Sequence, residues 1–515
     1  MRILKFLMFS LLLWMSTGAY AACSGAGTAW TCTAGSTTAN VNSALASAAD
    51  GATITFEAGN YNWSSGMISQ FSNTKGVTLR CATTQACTVS LGTGYFMSLA
   101  YSGENTKLYR ISGFTFTNIV CSVCVEIFGN GTLHNLRIDN NRFTGANASV
   151  PTFWLLGTTT HNGEVYGAID NNRIDGQNSF LFLKVLGPKG RPWGASPRGT
   201  GRNIFVEDNT FDFAQNNDLM GCVDAHERAA ITWRFNTITN CRVNVHGVPH
   251  GGIKNFEVYR NTVAKTQAGS WGGTDCYRCI YQQGSGEWYV WDNVIRGANG
   301  TLSNSAIELL HYRGGAPNAG SYGICDGTKS IDGNTAPASV YHGWPCWAQP
   351  GRMEVDGPQP WGKLAPVLIF RNTNGSNGAK IDVVIAGQGS NPDYTSSHLV
   401  KERDYYNAVS ASAQTSSSSP FNGSVGIGHG TIANRPATCT HTTAPDGDEG
   451  GGVMYWATDQ GSWNSKGESG MMYRCSATNT WTPHYVPFTY PHPLQTGGGV
   501  TPPAAPAAPT NLTVL

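Results

Sequence analysis

One short pattern recurs through the middle of the chain. Two alternating apolar residues are followed by two or three others, an asparagine, one more residue and another apolar one. It is read in LRIDNNRF, AIDNNRI, IFVEDNTF, ITWRFNTI, FEVYRNTV and WYVWDNVI, which place asparagines at Asn141, Asn172, Asn209, Asn236, Asn261 and Asn293. A weaker copy, VLIFRNTN, contains Asn372, and a less regular turn, LYRISGFTF, ends at Phe116. The spacings between the six asparagines are 31, 37, 27, 25 and 32 residues. Alternation with period two means strands. A minimum near 25 residues suits one coil of a parallel β-helix of two or three short strands, with the variable excess in loops. The asparagine belongs at the bend between two strands. There it tolerates left-handed backbone angles and can hydrogen-bond its equivalents in the coils above and below. Leucine-rich repeats would need leucines at a fixed spacing of about 20–29 residues, and a propeller blades of about 40–50; neither is present.

Export is written at the N-terminus. Arg2 and Lys5 precede an apolar run from Phe6 to Met15, and Ala19-Tyr20-Ala21 offers a small-x-small cleavage site. This is the pattern of a secretory signal over residues 1–22, with an apolar core too short for an integral membrane span. Cys23 stands where a lipoprotein would be acylated, but Tyr20 is a poor match to that signal, and acylation would leave an odd thiol. The 14 cysteines fall into close pairs: Cys23 with Cys32, Cys81 with Cys87, Cys121 with Cys124, Cys222 with Cys241, Cys276 with Cys279, Cys325 with Cys346, and Cys439 with Cys475. An even count in an exported chain reads as local disulfides. Zinc at the two C-x2-C pairs is the weaker alternative. Lysine plus arginine number 33 against 32 acidic residues, and only 13% of the chain is charged. No basic field exists to hold a nucleic acid.

Residues 37–49, TTANVNSALASAA, form a small amphipathic helix, followed by the turn and strand DGATITFEAGNYNW. With ISGFTF and the repeated asparagine bends, this resembles the pectate-lyase-like, right-handed parallel β-helix superfamily over residues 37–380. The resemblance implies an all-β, right-handed single-stranded parallel β-helix of about ten coils, its open end plugged by the N-terminal helix. It says little about chemistry, since the fold hosts lyases, hydrolases, esterases, epimerases, spikes and adhesins. The expected organisation is a β-helix over 23–400, a polar linker over 401–424, a small disulfide-stapled β-module over 425–494, and a Gly/Pro linker over 495–515. The linker ends in PTNLTVL, similar to a first fibronectin type III strand.

The inward residues of each strand are apolar, which fixes the phase of the outward ones. In LFLKV this turns Phe182 and Lys184 outward; in CVDAHER, Asp224 and His226; in RVNVHG, Asn244 and His246; in AIELLH, Glu308; in VCVEIF, Glu126. One face would then gather scarce charge, with His250 and Arg228 on adjoining loops. Coils lie about 4.8 Å apart, close to the length of one sugar unit, so such a ladder can track a polysaccharide. Polygalacturonase-like hydrolysis is disfavoured, because it resembles a carboxylate set with an Asp-Asp pair and none occurs. A lyase must neutralise a uronate carboxylate and remove the C5 proton. Here Lys184, His226, Arg228 and His246 are the catalytic candidates. Glu126, Asp224 and Glu308 are candidate calcium ligands, and Trp154, Tyr281, His311 and Arg313 candidate substrate contacts. The Arg-x-Pro-x-x-Arg signature of pectate lyases is absent. The expectation is an extracellular carbohydrate-active protein, a polysaccharide lyase on an acidic polymer. The alternative is a non-catalytic surface β-helix that binds glycans or builds matrix.

Overall fold

The computed structural model describes residues 22–497 outside 65–67, 69–74, 94, 146–151, 158–161, 177–180, 189–194, 218–221, 246–251, 267–275, 277, 301, 303–305, 312–324, 326–343, 347, 355–361, 387–397, 409–420 and 442–451. The signal sequence and the fibronectin-like stub therefore lie outside the described residues.

The chain winds as a right-handed parallel β-helix of about ten turns. Each regular coil contributes a strand to three sheets. Sheet 1 includes Thr152–Leu156, Leu181–Leu186, Val223–His226, Val243–Val245, Ile280–Gln283, Ile307–Leu310 and Val383–Ala386. Sheet 2 follows, with Glu164–Asp170, Ile204–Glu207, Ala230–Arg234, Asn255–Tyr259, Glu287–Trp291 and Val367–Phe370. Sheet 3 comes after the asparagine, from Gly59–Trp63 to Thr373–Asn374. In the earlier coils, Met97–Ser112 and Val123–Asp139 run through from sheet 1 into sheet 2.

The repeated asparagines form one buried hydrogen-bonded column at the corner between sheets 2 and 3. Asn236 shows the pattern. Its backbone N–H and its Nδ2 donate to Asn261 Oδ1 at 3.0 and 2.9 Å. Its Nδ2 also donates to the Val206 carbonyl at 2.8 Å, and its Oδ1 accepts from Asn209 N and Nδ2. The column runs from Asn141 through Asn293 to Asn372, so the weak copy at 372 is a full member. The left-handed residue is the one before each asparagine rather than the asparagine itself. Asn140, Asn171, Asp208, Phe235, Arg260, Asp292 and Arg371 all have φ between 53° and 58°. In the coil before Asn141, Gly113 takes this place with φ 79°.

Inside, side chains stack along the axis. Phe116 lies 5.3 Å from Phe143, Phe143 5.3 Å from Phe182, Phe182 5.2 Å from Phe211, and Phe211 5.2 Å from Trp233. Phe182 is thus a core residue, contrary to the strict alternation expected of LFLKV. Its ring completes the aromatic stack between Phe143 and Phe211 and is fully buried beside Leu183. At the N-terminal end α1 (Thr38–Ser47) packs Thr38, Val41 and Ala44 inward and is capped by a reciprocal Thr37–Asn40 box.

All seven expected disulfides are formed. Cys23 is bonded to Cys32 at the first hairpin, and Cys81 to Cys87 across the corner between sheets 2 and 3. Cys121 is bonded to Cys124, and Cys276 to Cys279, so both C-x2-C pairs are cross-links rather than zinc ligands. Cys222 is bonded to Cys241 and Cys325 to Cys346, while Cys439 and Cys475 staple the C-terminal residues. The cysteines therefore act as structural staples, and among the described residues none is free. Among the same residues, no helix is long and apolar enough to cross a membrane.

The C-terminal residues add a four-stranded sheet of Ile427–Gly430, Met454–Ala457, Met471–Ala477 and Thr480–Tyr485, which folds back onto the outer face of sheet 2. That face carries two in-register columns, Asp139–Asp170–Glu207–Arg234–Tyr259–Trp291–Phe370 and Arg137–Ala168–Phe205–Thr232–Glu257–Tyr289. Arg234 is fully buried. It donates to Glu207 at 2.6 Å and to the carbonyls of Phe488 and Thr489 at 2.6 and 2.8 Å. Arg137 reaches the Leu494 carbonyl at 2.6 Å, and the Tyr485 hydroxyl donates to Glu257. Trp456 and Trp463 close over Trp291 at 4.7 and 5.9 Å.

Two expectations follow. Asn236→Ala removes the acceptor for two buried donors and a donor from the Val206 carbonyl; at about 1–3 kcal/mol per orphaned group, a loss of roughly 3–5 kcal/mol is expected in denaturant melts. His492, packed on Phe205 at 4.9 Å, has its pKa lowered to about 3 by burial, with Arg234 and Arg137 adding to the effect. Its stabilising contribution is present above the unfolded value near 6.5 and is lost as pH falls towards 3, on the order of 4 kcal/mol in full. His492→Asn keeps an acceptor for the Leu494 N–H that His492 Nδ1 now binds. It should flatten the acid limb of a stability–pH curve followed by tryptophan fluorescence.

Candidate functional site

The face of sheet 1 carries the expected ladder, fixed by parallel register. Ser98 aligns with Glu126, Glu126 with Leu155, Leu155 with Lys184, and Lys184 with Asp224. Val223 opposite Val243 sets Asn244 beside Asp224. Asn244 then aligns with Tyr281, Tyr281 with Glu308, and Glu308 with Val384. These positions point outward because their neighbours Val125, Leu183, Val223, Val243, Ile280 and Ile307 fill the core.

At the centre, Lys184 Nζ lies 3.6 Å from Asp224 Oδ2, with the lysine side chain 32% exposed and the aspartate 8%. Two residues beyond Asp224 on the same face stands His226, opposite Leu186 and 3.9 Å from Glu227. Glu227 and Arg228 turn the chain with φ 56° and 68°. Arg228 lines a cavity of about 10 Å3 with Glu164, Tyr166 and Leu186, room for about one water. Sequence reading missed this corner. The Tyr166 hydroxyl donates to Glu164 Oε2 at 2.5 Å, Lys254 Nζ stands 3.8 Å from Glu164, and the His134 ring meets Tyr166 at 5.8 Å. Burial first, then the Glu164 charge, pushes the Tyr166 phenol well above its ordinary pKa, so it acts as a donor. Its residues come from different coils, and only the fold unites them.

Farther along, Glu308 is buried and bound by Arg278 Nε at 2.6 Å. Burial pushes the Glu308 carboxyl upward against the opposing pull of Arg278. The Arg278 guanidinium also lies 4.9 Å over the Tyr281 ring, so Tyr281 is on the ladder yet covered. Arg278 was passed over in the sequence. The signal was its position inside the bridge from Cys276 to Cys279, a turn that delivers it to the start of Ile280–Gln283.

Several expected roles change. Trp154 is fully buried, aligned with Val125 and Leu183 and edge-on to Phe153 at 5.1 Å; it is core and offers no sugar platform. His311 is also fully buried, and its ring faces His398 at 5.3 Å. Glu126, Asp224 and Glu308 do not converge. Three rungs of about 4.8 Å separate each from the next, whereas ligands of one calcium ion lie about 2.3–2.6 Å from it. His246 and Arg313 lie outside the described residues, as does His250.

No family model matches the chain, and no curated protein does. Among solved structures, the PL6 family alginate lyase AlyGC aligns at 15% identity with a TM-score of 0.25. The alignment covers 47% of this chain and 40% of that one. At that score the likeness carries no argument here.

The placement of Trp154 is checked by its cost. Trp154→Ala should lower stability by about 3–5 kcal/mol, the range for a large core side chain. A surface platform would leave the denaturation midpoint almost unchanged.

Proposed function

We propose that the protein is an extracellular carbohydrate-active β-helix protein that cleaves an acidic polysaccharide by β-elimination along the face of sheet 1. The observation that carries this reading is the in-register ladder centred on Lys184, Asp224 and His226. Its rungs of about 4.8 Å match the repeat of a sugar chain. The C-terminal sheet occupies the other charged face, on sheet 2. Seven disulfides suit an exported protein.

In this reading Lys184 and Arg228 oppose the uronate carboxylate, which makes the C5 proton acidic enough to remove. His226 takes that proton. The electron pair forms the C4–C5 double bond, the bond from C4 to the bridging oxygen breaks, and that oxygen leaves with a proton supplied by Lys184. No step is routed through calcium, because the three ladder carboxylates cannot share one ion. A second reading, glycan binding without cleavage, is favoured by a specific observation: Asp224 and Glu308 are already paired to Lys184 and Arg278.

The test is incubation with a panel of uronate polymers, watching for ultraviolet absorbance of the unsaturated product. Lys184→Ala and His226→Ala should each cut the rate roughly hundredfold or more, while both still unfold cooperatively with a loss of about 1–3 kcal/mol, since both side chains are partly buried and Lys184 pairs with Asp224. Retardation of the protein on polymer-containing gels without any such product would select the binding reading. Full activity in both variants would place the chemistry elsewhere.

A further inference from the structure

We propose that His311, Cys325, Cys346 and His398 form a binding site for a divalent ion of the zinc class, closed in the oxidised protein by the disulfide between Cys325 and Cys346 and opened by its reduction. The ligand atoms of His311, Cys325 and His398 all lie within 4.8 Å of one another, and all three residues are buried. Cys346 is buried as well, and its sulfur is bonded to that of Cys325. Two imidazoles and one sulfur thus lie close together, with the Cys346 sulfur one bond farther out, and the four residues together are the donor set of a four-coordinate structural zinc site.

The fold holds three of the four, His311, His398 and Cys346, from separate directions. His311 directly follows the sheet 1 strand Ile307–Leu310. The His398 carbonyl accepts from Arg403 at 3.1 Å, and Arg403 in turn grips Asp404. Asp404 binds the Trp344 indole N–H at 3.0 Å, two residues before Cys346, whose own N–H donates to Gln349 at 2.9 Å. In a tetrahedral ion with Zn–S of about 2.3 Å and Zn–N of about 2.0 Å, ligand atoms stand roughly 3.3–3.8 Å apart. The spread of the His311, Cys325 and His398 ligand atoms needs to contract by at most about 1 Å to match, and the Cys346 sulfur must part from Cys325 and swing in as the fourth ligand.

A disulfide sulfur is no thiolate, so the oxidised protein does not present this site. A dithiol reductant supplies two electrons and two protons. It becomes a disulfide itself and leaves Cys325 and Cys346 as thiols. The ion then displaces the thiol protons to solvent. One location therefore carries two alternative staples, a covalent bond when oxidised and an ion when reduced.

Reducing the whole protein would open other bridges, so the test uses Cys346→Ser, which leaves Cys325 as a thiol beside both imidazoles. Cobalt(II) is the probe. Cys346→Ser should bind one equivalent with a thiolate-to-cobalt charge-transfer band that the oxidised parent lacks. His311→Ala or His398→Ala added to it should weaken binding at least tenfold. No band in Cys346→Ser, or a band undiminished by loss of both histidines, overturns the proposal. Should Cys346→Ser fail to fold, the parent and a variant carrying both His311→Ala and His398→Ala are each treated with dithiothreitol, loaded with zinc and gel-filtered. The parent should retain one equivalent more, and equal retention overturns the site.

Discussion

The rest of this structure depends on the bond an asparagine side chain makes to the next coil. From Asn172 onward each Oδ1 in the column accepts two N–H groups from the coil before, while Asn141 Oδ1 accepts one from Phe114, and each Nδ2 returns a bond to a main-chain carbonyl. These groups are buried, so leaving one unmet costs about 1–3 kcal/mol. The corner is thereby made to close in the same way in each coil from Asn141 to Asn372. The residue before each asparagine must take a left-handed turn even where it is Phe235, Arg260 or Arg371, residues for which that conformation costs about 1–2 kcal/mol. Once the corner repeats, register repeats, and side chains in successive coils stand in columns. The Lys184–Asp224 pairing on sheet 1 is a consequence of hydrogen bonds made at the corner between sheets 2 and 3.

Two outer faces carry charge and meet different fates. On sheet 2 the carboxylates and guanidiniums are matched among themselves and to carbonyls of the C-terminal segment. Ion pairs buried this way add little net stability, but they fix where that segment docks. Arg371 shows the logic: it meets Asp292 of the neighbouring coil at 2.7 Å and Glu468 at 2.9 Å across the interface. Where matching is incomplete, burial dominates, and Asp170 is pushed up to about 6 despite Arg137 beside it. On sheet 1 the central pair Lys184–Asp224 keeps contact with solvent, the condition a polymer needs to reach it.

Much of this was legible in the sequence. The asparagine bends, the helical plug, the seven bridges and the outward phase of Glu126, Lys184, Asp224 and Glu308 all follow from local pattern, because a solenoid places sequence neighbours together. Bridges such as Cys81 to Cys87 and Cys222 to Cys241 close within one coil or between adjacent ones, so proximity in the chain was enough to pair them. What was hidden is what locality does not encode. Alternation misassigned Phe182, whose ring is taken up by the axial stack between Phe143 and Phe211. Trp154 looked like a platform by residue type, although its register partners are all core. The three carboxylates were offered to one calcium ion because outward phase was read without distance along the axis: Leu155 and Lys184 separate Glu126 from Asp224, and Asn244 and Tyr281 separate Asp224 from Glu308. The docking of the C-terminal strands joins Arg137 to Leu494 and Arg234 to Phe488, across 357 and 254 residues, with no periodic signal to announce it.

Those long contacts change how a repeat structure holds together. In a simple solenoid each coil touches only its neighbours, and stability is a sum of adjacent interfaces. Here two segments run along the axis instead. The stretch around Arg198, inserted in the 37-residue interval before Asn209, reaches forward to Glu287 at 2.6 Å, and Gly199 N–H donates to Glu257 at 3.0 Å. The C-terminal segment ties Glu207, through the His492 N–H at 2.7 Å, to the same surface that holds Trp291. Coils from Asp170 to Phe370 are thereby bound to shared partners, so fraying of one loosens contacts of several others. The central rungs of sheet 1 belong to these same tied coils, and their spacing is held by a body that resists opening one turn at a time.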